Sequence, residues 1–81
     1  MFNVYILYSE NKNRYYVGQT NDLNNRFYRH NSSLVQSTKY GVPWKIIHYI
    51  EFNTRSEAMQ MELKIKKRGI KRYLDDHNIN S

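Results

Sequence analysis

Three sets of side chains in this sequence have types and spacings that could do chemistry: Glu62, the pair Arg26 and His30, and the pair Tyr5 and Tyr16. Read at about 100° per residue, Ala58, Met61 and Ile65 form one apolar stripe of a helix, with Met59 and Leu63 beside it. Glu62 falls between the two stripes. A partly buried carboxylate costs several kcal/mol, roughly, unless it is paired or bound to a cation. Lys66, one turn on, offers the structural solution, and a divalent cation offers the chemical one. Arg26 and His30 are also one turn apart, and cannot attract each other as an ion pair. A guanidinium beside an imidazole suits a phosphate, with the Arg forking onto its oxygens and the His giving or taking a proton. Taken alone, such a pair is more often a solvated helix face. A tyrosine hydroxyl ionises near pH ~10, and neighbouring cations can lower that towards general-base work. Taken alone, strand tyrosines are usually packing residues with a hydrogen-bonded hydroxyl.

These residues need elements to position them. Residues 2–8 are β-branched and aromatic, with Phe2, Val4, Ile6 and Tyr8 on one face and Tyr5 and Leu7 on the other. Both faces are largely apolar, which predicts a central strand covered on both sides. The polar segment 9–13 predicts a turn, and residues 14–19 a second strand antiparallel to the first. In that hairpin Tyr5 and Tyr16 come within one diagonal step of each other. Gly18 ends the second strand as a bend or an opening for close approach to the backbone. Asn21 or Asp22 caps a helix running to about His30. Residues 31–43 read as a loop with room for a short helical turn, and residues 44–52 as a third strand. Thr54-Arg55-Ser56-Glu57 is a capping box opening a helix to about Lys67. Gly69 ends it, and a last helix covers Ile70 to about His77. The order ββαβαα predicts an α/β (α+β) domain, a small three-stranded, mainly antiparallel sheet flanked by helices, with residues 1–81 as a single domain.

Thirteen Lys and Arg against seven Asp and Glu give a formal charge of +6 and favour an anionic partner, nucleic acid before others. Cysteine is absent, which excludes a disulfide framework, a thiolate zinc site and a cysteine nucleophile. His30, His48 and His77 lack zinc-ligand spacing. No leader and no apolar run of roughly 20 residues is visible, so the expectation is a soluble cytoplasmic protein with no membrane partner.

The motifs taken together resemble a known family. Asn3-Val4-Tyr5, ten residues, Tyr16-Val17-Gly18, then Leu23-x-x-Arg26-x-x-x-His30 and a helical Ala58-x-x-x-Glu62 look like the GIY-YIG nuclease domain. The likeness runs from Phe2 to about Leu74 and is greatest to small stand-alone bacterial proteins, which resemble the nuclease module of the excinuclease C subunit. Asn3 stands where the family's first motif has Gly, and Val4 and Val17 replace Ile. Asn78 and Asn80 are assigned no role. The resemblance implies a metal-dependent endonuclease of DNA, RNA not excluded, with repair or recombination as its setting. Tyr5 would be the general base, Arg26 would neutralise the phosphate, and Tyr16 and His30 would position and tune the network. Glu62 would hold one divalent cation, Mg²⁺ or in its place Mn²⁺. Gly18, Arg14, Arg29, Lys66 and Lys67 would serve nucleic-acid binding. The competing expectations are a non-catalytic nucleic-acid-binding module, supported by the charge and by the basic stretch from Lys64 to Arg72, and a protein-docking module with the basic terminal helix as its docking face.

Overall fold

The computed structural model describes residues 1–79 and contains three strands and three α-helices. Strand β1 (Phe2–Ser9) is central, flanked by β2 (Arg14–Thr20) and β3 (Lys45–Phe52), and both pairings are antiparallel. The helices are α1 (Leu23–Asn31), α2 (Arg55–Arg68) and α3 (Ile70–Asp76), with a 3₁₀ turn at Lys39–Gly41. The α+β architecture in the order ββαβαα is the one the residue pattern predicts.

The period-2 alternation of β1 divides the core into two layers. Val4 and Ile6 face one side and pack with Val17, Ala58, Ile65, Tyr73 and Leu74, under α2 and α3. Tyr5 and Leu7 face the other and pack with Trp44, while Leu23 and Phe27 of α1 lie against them. Residues 3–7 of β1 are all buried, as expected of a strand covered on both faces. A register shift between Ile6 and Leu7 adds one residue to β3 at Ile47.

Local signals set the helix ends. Asp22 caps α1 by accepting from the Asn25 amide at 3.1 Å. The Thr54–Glu57 capping box of α2 is closed in both directions, at 3.2 Å each way. Gly69, at φ 93°, separates α2 from α3 in a backbone conformation that L side chains rarely adopt. The second apolar stripe expected on α2 is corrected: Met59 and Leu63 are 48% and 61% exposed, while Ala58 and Ile65 are fully buried. The sheet accepts one stripe of this helix, and Met59 and Leu63 lie beyond its edge. Asn80 lies outside the described residues. Among the described residues no helix is long and apolar enough to cross a membrane.

Candidate functional site

The α1 side of the sheet collects the chemistry. Tyr5 pairs with Gly18 and Leu7 with Tyr16, so the two tyrosines are diagonal neighbours on one face, their ring centroids 6.3 Å apart. The C-terminal turn of α1 brings His30 onto the same face, 5.0 Å from the Tyr16 ring and 5.8 Å from the Tyr5 ring. His30 Nε2 lies 2.9 Å from the Tyr5 hydroxyl, and Nδ1 lies 2.7 Å from Thr38 Oγ1. Tyr5, His30 and Thr38 are each at most 1% exposed.

This burial corrects the picture of Arg26 and His30 as one outward pair. The two do share a helical face, but that face looks inward at its C-terminal end, where the loop after α1 covers His30. His30 therefore touches the Tyr5 hydroxyl rather than solvent. Burial, and then the charge of Arg26, push its pKa down to about 4, so the ring is neutral at ordinary pH. Burial likewise pushes the Tyr5 hydroxyl up to about 12, with Arg26 as the chief opposing influence. Arg26 is itself held above its usual value, first by contact with the Tyr5 hydroxyl and also by Tyr16. Arg26 Nε itself is buried without a partner among the described residues. An unpartnered buried guanidinium N–H beside two phenols is donor capacity that the described residues leave unused.

Gly18 makes this cluster possible. A Cβ there would stand 2.7 Å from the Tyr5 hydroxyl oxygen and 3.0 Å from the Tyr16 ring. The absence of a side chain serves Tyr5 directly.

Glu62 comes from α2. Its side chain is 18% exposed and pairs with Lys66 at 2.8 Å, the i, i+4 bridge expected from sequence. Both reach the tyrosine cluster electrostatically: Glu62 acts to raise Tyr5, and Lys66 is raised by Glu62 first and by Tyr16 to a lesser extent. Gln19, opposite Val4 and so on the α2 side of β2, holds a buried Oε1 without a partner among the described residues.

The outer basic residues are divided. Arg14 and Arg29 are exposed. Lys66 pairs with Glu62 within electrostatic reach of Tyr16, whereas Lys67, about 140° round the helix from Glu62, lines a groove between α2 and α3 with Leu63, Tyr73 and His77. Three supporting residues carry no signal in the sequence. Thr38 sits in a loop without periodicity. Asn31 bonds the backbone of Trp44 at both its N–H and its carbonyl, and Trp44 Nε1 donates to the Thr38 carbonyl at 2.7 Å. These bonds hold the loop over His30.

A family model described as the GIY-YIG catalytic domain matches residues 1–73. A UPF0213 protein of Listeria welshimeri is 43% identical over 58 residues, 70% of this chain and 64% of that protein. A UPF0213 protein of Listeria innocua is 43% identical over 56 residues, 68% of this chain and 62% of its own length. The chain thus spans less than two thirds of these relatives. The solution NMR structure of a UPF0213 protein from Bacillus halodurans superposes with a TM-score of 0.59 at 25% identity, covering 96% of this chain and 84% of that one.

Proposed function

The chain belongs to the GIY-YIG family, a family of nucleases, and from that premise we propose that it is a metal-dependent endonuclease acting on DNA. One observation carries the reading: Tyr5, Tyr16, Arg26 and His30, scattered over 26 positions of the sequence, converge on one face of the sheet, within electrostatic reach of Glu62 on α2.

Arg26 binds the scissile phosphate through its guanidinium, whose positive charge offsets the charge that develops on the phosphate oxygens. Tyr5 accepts a proton from the attacking water. Its high pKa argues against a standing phenolate, and the adjacent neutral His30 supplies the remedy: as the hydroxyl oxygen gains a proton from water, it yields its own to Nε2. Tyr16 packs against the His30 ring and holds it in place. Arg14, Arg29, Lys66 and Lys67 would contact the nucleic-acid backbone.

Among the described residues no three potential ligands converge. The residues nevertheless fit a hard cation of the Mg²⁺ type, which commonly binds through one or two carboxylates with water and phosphate completing its shell. Glu62 would hold it, exchanging the Lys66 ammonium for the metal. A cation bound there would place Lewis-acid charge on the phosphate.

The test is cleavage of labelled linear, branched and single-stranded DNA and RNA by purified protein with Mg²⁺ or Mn²⁺, beside Glu62→Ala and Arg26→Ala. Metal-dependent cleavage lost in both variants supports the proposal; cleavage that both retain in full overturns it. A second reading, a nucleic-acid-binding module without turnover, is favoured by the buried Tyr5 and by the closed Glu62–Lys66 pair. It predicts binding with no metal-dependent cleavage on any substrate of the panel.

A further inference from the structure

We propose that Thr38, in the loop after α1, is a positioning residue that fixes the tautomer of His30 and thereby decides which side of the Tyr5 hydroxyl faces the site. The inference rests on the reading of Tyr5 as the proton acceptor, and it follows from counting donors and acceptors in a closed chain. His30 touches two hydroxyls, Tyr5 at Nε2 (2.9 Å) and Thr38 at Nδ1 (2.7 Å). A neutral imidazole donates from one nitrogen and accepts at the other, so only two arrangements exist.

With the proton on Nδ1, that N–H donates to Thr38 Oγ1, and the Thr38 hydroxyl donates to the Val35 carbonyl at 3.4 Å. The Tyr5 hydroxyl then donates to Nε2. Every hydrogen in the chain has an acceptor. With the proton on Nε2, the Tyr5 oxygen would accept from His30 while also facing the Arg26 guanidinium. The Tyr5 hydrogen would then lose His30 as an acceptor and point into the site. A buried donor left unpaired is costly, so the Nδ1–H form is the one this environment selects.

The consequence is chemical. In the Nδ1–H form the Tyr5 hydrogen is turned inward, and an oxygen lone pair is left for the attacking water. In the other form Tyr5 would present a hydrogen to that water and could not accept from it. The relay also balances in the first form alone. One proton passes from water to the Tyr5 oxygen and one from Tyr5 to Nε2, leaving hydroxide and an imidazolium whose Nδ1–H remains bonded to Thr38. Thr38 is itself held by its surroundings: its carbonyl accepts from Trp44 Nε1 at 2.7 Å and from the Gly41 amide at 3.1 Å. Those bonds use the backbone, so the loop keeps them when the Thr38 side chain changes.

The experiment is long-range ¹H–¹⁵N correlation spectroscopy of the His30 ring in the full chain at pH 7, for wild type, Thr38→Ser and Thr38→Val. Wild type and Thr38→Ser are expected to show a protonated Nδ1 and an unprotonated Nε2. Thr38→Val removes the acceptor and is expected to move the ring towards the Nε2–H form. It should also lower kcat for cleavage by tenfold or more with KM changed less than twofold, and Thr38→Ser should restore kcat. A wild-type ring protonated at Nε2 overturns the proposal, and this holds even if the valine variant does not fold. A Thr38→Val ring unchanged from wild type overturns it equally. The spectrum needs no turnover, so a protein that cleaves nothing refutes the nuclease reading while the tautomer is still decided.

Discussion

Gly18 faces the Tyr5 hydroxyl across the hairpin, and a methyl group there has nowhere to go, because Tyr5 is fully buried and backed by His30. Gly18→Ala should cost about 1–3 kcal/mol of stability by overpacking and reduce cleavage more than tenfold. Urea unfolding read beside a cleavage assay checks both. His30 gives a pH dependence. Its folded pKa, about 4, lies below the ordinary 6.5, so the unfolded chain binds the extra proton between those values. Stability is therefore full above about pH 6.5 and is lost as pH falls towards 4. Between pH 7 and 4.5 the expected loss is about 2 kcal/mol. Unfolding curves of wild type and His30→Gln at the two pH values isolate it from the carboxylates, and equal losses in both proteins would refute it. The pairing of Tyr5 with Tyr16 was legible in the sequence because strand alternation fixes facing. The burial of His30 was not: helical periodicity says which residues share a face, and only the covering loop decides whether that face is wet.

At the scale of elements, α2 is where sequence and structure agree most and also part company. Its start was legible to the residue, because a capping box is a local device needing only four consecutive residues. Thr54→Ala removes the side chain that accepts from the Glu57 amide and should lower stability by ~1 kcal/mol. If α2 merely carries Glu62 to the site, the same variant should bind divalent cation as wild type does, measurable by calorimetry alongside thermal unfolding. A matching drop in cation affinity would show that the cap also orders the Glu62 turn. The apolar face of α2 is narrower than its residue types suggest, since Met59 and Leu63 lie beyond the reach of a three-stranded sheet. Glu62 stands out in the sequence for a simpler reason: carboxylates beside an apolar stripe need a partner. The structure supplies Lys66 as that partner. The loop between α1 and β3 was the least legible element. Its order comes from Asn31, Thr38 and Trp44 bonding across 13 positions of sequence, and no local pattern announces such bonds.

For the whole molecule, a charge of +6 favours an anionic partner but does not say where it would lie. The fold adds the geography. Arg26 sits inside the cluster and Lys66 within electrostatic reach of it, Arg14 and Arg29 are exposed, and Lys67 faces the groove between α2 and α3. If the first four each neutralise one phosphate of duplex DNA, the logarithm of affinity should fall with the logarithm of salt with a slope near about −3.6. Between 50 and 200 mM salt that is roughly a hundredfold loss. Fluorescence anisotropy with a labelled duplex and no divalent ion measures the slope without cleavage. Arg29→Ala should make it shallower by about 1. Lys66→Ala and Lys67→Ala then separate two dispositions of the same charge. If the nucleic acid lies over the tyrosine cluster, removing Lys66 flattens the slope and removing Lys67 leaves it nearly unchanged. Equal effects from the two lysines would place the duplex along α2 as a whole, and a larger effect from Lys67 would move the binding face to the α2–α3 groove, away from the residues that could cut it.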